Sequence, residues 1–245
     1  MTEPLVRIDP RAHAVTLVAP TTSGYLLAAA RIDRRPPLLP GSRRKRAALR
    51  ALRAAAARLR DVDGVVDVSL FEATFIPPGG HVRGGGPRLE TRFDVVLLVE
   101  TAAPERLGGV RASAAWQQVE QVLASRARAR LVLDASNVKR MGPVPHDRGG
   151  VFLFNWFLSD DRERTVAAWH YTAGWFARHT GLDNSTVLLP HSPDAPLAIV
   201  NHCRWDRYRD VVPALAFDPS FRRFVLRTFE ANAVVPRPVL YRLVR

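Results

Sequence analysis

Apolar and polar positions fall into two successive series of the same order. The second series is the clearer one. It opens on Val151-Phe-Leu-Phe-Asn-Trp-Phe-Leu158, the most apolar run in the chain, with Asn155 alone among bulky residues. Such a run, followed by a turn signal, reads as a buried central strand. Ser159, Asp160 and Asp161 then supply a helix cap and negative charge for the helix dipole. A helix to Thr180 follows, with Val166, Trp169, Ala173 and Phe176 on one face and Gly181 as its stop. Strands are predicted over 185–190 and 196–205, helical pieces over 208–217 and 219–232, and a closing strand over 238–244.

The first series reads the same way. A strand over 24–32 leads through the prolines of 34–41, which forbid regular structure, to Ser42 as N-cap. A helix over 43–60 carries Leu49, Leu52, Ala56 and Leu59 on one face. Strands follow over 65–76 and 92–100, joined by the glycine-rich stretch 77–87. That stretch lacks a Gly-Lys-Ser/Thr ending and opens no helix, so it reads as a hairpin loop and not a phosphate cradle. A helix over 104–126 and a strand over 129–137 complete the series, with one further strand suggested at 14–19. Residues 139–150, with two prolines and three glycines, read as the linker. The expected units are therefore 1–140 and 150–245, each β-α-β-β-α-β, the ferredoxin-like split order of an α+β fold.

This order, with strands as apolar as 151–158, resembles the dimeric α/β-barrel superfamily in tandem form. The resemblance covers the chain from about Gly24 and is one of element order and strand character. It implies two ferredoxin-like units with sheets packed face to face as a pseudo-dimeric barrel. The superfamily includes monooxygenase-like, chlorite-dismutase-like and dye-decolourising peroxidase proteins. Its haem-binding members make haem a candidate cofactor, with a proximal histidine from the second unit. No Gly-x-x-Asp-Gly peroxidase signature is present.

Alternation along the strands selects candidate site residues. On 151–158 the wholly apolar set Phe152, Phe154, Trp156 and Leu158 is expected to pack on helices, which turns Asn155 into the barrel. On 197–205 the bulkier set is again outward, which turns His202 and Arg204 inward, with Tyr241 or Arg242 as neighbours. His202 would serve as acid, base or axial ligand, and Arg204 would hold a carboxylate. The ligand expected there is a small apolar or aromatic molecule. The competing structural reading is that these three side chains satisfy one another. His146 and His81 fall in loops, and His170 on a helix edge.

Composition adds a second class. Of 245 residues, 36 are Lys or Arg against 23 Asp or Glu, a net charge of +13. Arg43, Arg44, Lys45, Arg46, Arg50 and Arg53 crowd one helix start and make nucleic acid or another anion an alternative partner. The near absence of lysine, only Lys45 and Lys139, reads instead as the codon bias of a GC-rich genome. A non-catalytic scaffold is a third reading, and copies of the chain itself are a further candidate partner. No apolar run reaches the length of about eighteen residues needed to span a membrane, and the N-terminus lacks a secretory pattern. A cytoplasmic protein is expected. Cys203 stands alone, without a disulfide or thiolate-metal partner, and no His-Glu-x-x-His spacing predicts a metal.

Overall fold

The computed structural model describes residues 4–9, 14–77 and 90–245. The chain runs β1 (Gly24–Arg31), α1 (Arg43–Leu59), β2 (Val65–Phe75), β3 (Val95–Thr101), α2 (Leu107–Ala112), α3 (Ala114–Arg126) and β4 (Ala129–Gly142). The second half runs β5 (Val151–Leu158), α4 (Arg162–Thr180), β6 (Ser185–Pro190), β7 (Ile199–Trp205), α5 (Tyr208–Phe217), α6 (Arg227–Ala231) and β8 (Val235–Leu243). The hairpin loop expected over 77–87 lies, after Pro77, outside the described residues.

Each half is a ferredoxin-like sheet, β4-β1-β3-β2 and β8-β5-β7-β6. Their edges hydrogen-bond to each other, β2 to β8 and β4 to β6, and close one antiparallel barrel of eight strands. Closure removes the exposed strand edges that either sheet would carry alone. It also explains the prolines of β8. Pro236 and Pro238 pair with β5, but β2 reaches only Leu240–Leu243. The prolines, which cannot donate to a ladder, sit where β8 has a single neighbour among the described residues.

The helices form where capping and periodicity dictate. Ser42 accepts from the Lys45 N–H at the start of α1, and Asp161 accepts from the Arg164 N–H at the start of α4. Gly181 ends α4 in the left-handed conformation. The helix expected over 104–126 is broken. A 3₁₀ turn and the short α2 precede Ser113, whose side chain accepts from the Trp116 N–H and starts α3 afresh. Beyond α5 the chain passes through a π-helical turn, Phe221–Leu226. The stretch 14–19 forms only an isolated bridge, Val18 to Arg140, and β4 runs on to Gly142 inside the expected linker.

Apolar side chains divide into three layers. One lies between the first sheet and α1 and α3, one between the second sheet and α4–α6, and one fills the barrel. An eight-stranded barrel is just wide enough for side chains to fill. Here Phe71, Phe93, Phe154, Trp156 and Tyr241 fill it, most of them packed edge to face.

Two expectations are corrected. Phe152, Phe154, Trp156 and Leu158 point into the barrel, while Val151, Leu153 and Phe157 pack under the helices. Asn155 therefore faces outward. All eight residues of β5 are buried. With both faces covered, apolar character does not distinguish inside from outside. The cationic face of α1 is also only partly free. Lys45 is buried and pairs with Glu72 at 3.1 Å and Asp94 at 3.8 Å. Arg44 caps the carbonyls of Ser125 and Arg126 at the end of α3.

Candidate functional site at the barrel mouth

β7 brings His202 and Arg204 to the inner face of the barrel, opposite Phe154 and Phe152 of β5. Phe154 stacks on the His202 ring at 4.1 Å between centroids, and Phe71 meets its edge. The ring is 2% exposed. Its Nδ1 lies 3.0 Å from the Leu153 carbonyl, and its Nε2 lies 2.9 Å from Nε2 of His146. His146 is carried by the segment between β4 and β5. Its Nδ1 is 2.8 Å from Asp67 Oδ2 on β2, and the Ser69 hydroxyl donates to the same oxygen. The barrel thus joins Asp67, His146 and His202 in one chain from three parts of the sequence.

Hydrogen-bond accounting assigns the protons. The Leu153 carbonyl only accepts, so His202 Nδ1 carries a proton. Burial, with the positive charge of His146, holds the His202 imidazole well below its ordinary value, against the pull of Leu153 and Asp67. It is neutral, and its Nε2 presents a lone pair. His146 Nε2 must then donate. Burial would raise the Asp67 carboxyl, but the hydrogen bond and charge of His146, with Ser69 and Arg60, hold it below the usual value. The ionised carboxylate also only accepts, and it holds the Nδ1 side of the His146 ring.

Both rings line a cavity of about 90 Å³, shared with Tyr25 of β1, Leu98 and Glu100 of β3, and Arg140 of β4. That is room for several water molecules. The Tyr25 hydroxyl donates to Glu100 at 3.1 Å and contacts Thr21 Oγ1 at 3.0 Å. Burial, partly offset by Thr21, pushes the phenol up to about 12. Arg140 Nε is buried and, among the described residues, has no hydrogen-bond partner.

Arg204 plays a different part. Its guanidinium donates to the Gly149 carbonyl, pairs with Asp206 at 2.8 Å and lies over Phe152. It ties the inter-unit segment to β7 through Nε and one terminal nitrogen. Tyr241 joins the interior and donates to the Phe93 carbonyl, whereas Arg242 is exposed and pairs with Glu72. The structure therefore brings His202, Arg204 and Tyr241 into one layer and sets Asn155 apart.

Asn155 lies across from Asn201 under α4, where Ser185 donates to Asn201 Oδ1 at 2.5 Å. Two small adjoining lobes of about 20 and 30 Å³ share Asn155, Leu153, Phe176, Trp205 and Phe229, and Asn155 Oδ1 is buried there without a partner among the described residues. Sequence reasoning passed over His146, Asp67, Tyr25 and Arg140. Pro143 and Pro145 beside His146 hint at a fixed segment, but nothing local links it to a ring 56 residues away.

Haem does not fit these sites. A cofactor of that size needs a few hundred cubic ångströms. The outer lobes are far smaller and no histidine lines them. Burial pushes the Cys203 thiol up, away from the thiolate a ligand requires. At the mouth, His202 has both ring nitrogens engaged. His170 is exposed on α4. No group of three or more His, Cys, Asp or Glu suited to a metal occurs among the described residues.

Fold and site together define a tandem dimeric α/β barrel with a polar mouth. No family model matches the sequence, and comparison with curated proteins gives no match. Solved structures do match in fold. The chain is similar to an anthrone oxidase-like protein at TM-score 0.66 and 10% identity, over 91% of this chain and 92% of that one. It is similar to a candidate monooxygenase from Fusobacterium nucleatum subsp. nucleatum at TM-score 0.58 and 7% identity, over 92% and 94%. A candidate chlorite dismutase matches at TM-score 0.49 and 12% identity, over 92% and 96%. At such identities the likeness is one of fold. No helix among the described residues is long and apolar enough to cross a membrane.

Proposed function

We propose that the protein binds a small polar molecule in the barrel-mouth cavity and exchanges a proton with it through Asp67, His146 and His202. The observation that carries this reading is the 2.9 Å contact between the two Nε2 atoms, backed by Asp67 and opening on the cavity. In its doubly protonated form His146 is oriented and charge-balanced by Asp67. The proton on His146 Nε2 lies between two acceptors, His202 and any ligand atom seated beside it. Transfer breaks that N–H bond and forms a bond from hydrogen to the ligand, leaving a neutral imidazole. Among the described residues no hydroxyl or thiol hydrogen-bonds either ring, which disfavours acyl transfer through a nucleophile.

A fragment screen by thermal shift tests the reading, followed by calorimetry in buffers of different ionisation enthalpy. A true ligand takes up or releases protons on binding in the wild type. It loses that signature in His146→Phe. Equal binding and equal proton exchange in both proteins reject the site.

A second reading rests on Asn155. Its orphaned oxygen, walled by Trp169, Trp205 and Phe229, suits an apolar aromatic molecule that presents a hydroxyl. The lobes hold only a few waters, so Phe176 or Phe229 must swing aside. Quenching of tryptophan fluorescence by phenols in wild type, lost in Asn155→Leu, supports it; quenching unchanged by that substitution removes it.

A further inference from the structure

We infer that the ligand class of the barrel mouth is a small monocarboxylate, seated on the guanidinium of Arg140 and facing the His146 ring. This rests on the proton-exchange reading for the site and adds the chemistry of the ligand to it.

One buried donor at the mouth is unmet among the described residues. Arg140 lies on β4 opposite Thr186 of β6 and lines the cavity. Its Nε is buried with no partner among the described residues. Buried donors are nearly always satisfied, and an orphan calls for a missing acceptor. Arginine presents Nε and a terminal nitrogen as a planar fork that matches the two oxygens of a carboxylate. The acceptor that completes this fork is planar and anionic.

Neighbouring groups narrow the choice. His146, whose Nε2–H is the donor of the histidine pair, lines the same cavity. His202 is neutral, so it neither attracts nor repels an anion. Glu100 also lines the cavity, held by the Tyr25 hydroxyl. A second negative group on the ligand would meet Glu100, so a dianion is disfavoured while a hydroxyl is tolerated. A cavity of about 90 Å³ admits a molecule of a few heavy atoms. Formate, acetate, glycolate and lactate span that range.

The test titrates these four as sodium salts at constant ionic strength, against chloride and acetamide, following the Arg140 Nε–H signal by NMR and the melting temperature. Saturable shifts with at least one carboxylate, absent with chloride and acetamide, are expected. Arg140→Gln should weaken binding at least tenfold, and Arg140→Lys should retain part of it. An unmoved Arg140 signal, an equal response to acetamide, or full affinity in Arg140→Gln overturns the inference. Its failure is separable from that of the proton-exchange reading. A neutral fragment that binds with His146-dependent proton exchange leaves that reading standing without the carboxylate. Carboxylate binding without proton exchange does the reverse.

Discussion

His146 Nε2 lies 2.9 Å from His202 Nε2, and only one of the two atoms can carry the proton between them. Leu153, which only accepts, fixes the His202 tautomer with its proton on Nδ1, so the hydrogen between the rings belongs to His146 Nε2. Histidine nitrogen NMR should show His202 protonated at Nδ1 and bare at Nε2, with the shared hydrogen on His146 Nε2. A proton on His202 Nε2 in the wild type would contradict the assignment.

The same pair sets a stability window. The imidazole of His202 is held well below its ordinary value in the folded chain by burial and by His146, whereas unfolded histidine titrates near about 6.5. Between these values the unfolded chain binds more protons, so stability rises with pH and falls on acidification. The loss begins as pH drops through about 6.5 and continues toward the lower folded value. Asp67, also depressed when folded, adds a separate loss in the carboxylate range. Urea midpoints at pH 7.5 and 5.5 should differ in the wild type and converge in His202→Gln.

Asn155 gives a prediction of opposite sign. Its Oδ1 is buried with no partner among the described residues, an arrangement that costs about 1–3 kcal/mol. Asn155→Leu removes the orphan and fills the lobe. The variant should be more stable by about 1 kcal/mol in chemical denaturation. A loss of stability would mean that Asn155 holds a partner in solution.

The contrast between His202 and Asn155 shows what a sequence can reveal here. Element order was legible because caps and periodicity are local: Ser42, Asp161 and Gly181 mark helix ends by themselves. The inward turn of His202 was legible because β7 has one set of residues far bulkier than the other. That of β5 was not, since both faces are apolar and both are buried. The relay was invisible for another reason. His146 sits between strands, and its partners lie 79 residues before it and 56 after. Only barrel closure brings them together.

The inter-unit segment should be intolerant of a single methyl group. Gly150 has φ 151°, and a Cβ there would lie 2.5 Å from the Trp205 carbonyl oxygen and 2.6 Å from Arg204 Nε. Gly150→Ala combines a disfavoured backbone with a clash against main chain. It should cost about 2 kcal/mol or more. It should also loosen the Arg204–Gly149 tie and thereby the placement of His146. Gly149→Ala has open space at its Cβ and serves as the control. Equal effects of the two substitutions would show that the close approach is not the cause.

Lys45 separates a structural cation from a solvent-facing one on the same helix. Its Nζ reaches Glu72 and Asp94, and all three side chains are largely buried. Removing one member of a buried pair leaves charge uncompensated, at a cost of about 3–5 kcal/mol. Arg242 still holds Glu72, and the Ile32 and Asp33 N–H groups still hold Asp94, so the loss should sit at the lower end. Burial already raises the Asp94 carboxyl above its usual value against these contacts. In Lys45→Met it should rise further, so that Asp94 becomes protonated nearer neutral pH. Arg50→Met and Arg53→Met, exposed on the same helix, should change stability by no more than about 0.5 kcal/mol. Denaturation of the three variants at pH 7 and pH 5 decides the matter: a Lys45→Met deficit that shrinks at pH 5 identifies Asp94 as the group left unpaired.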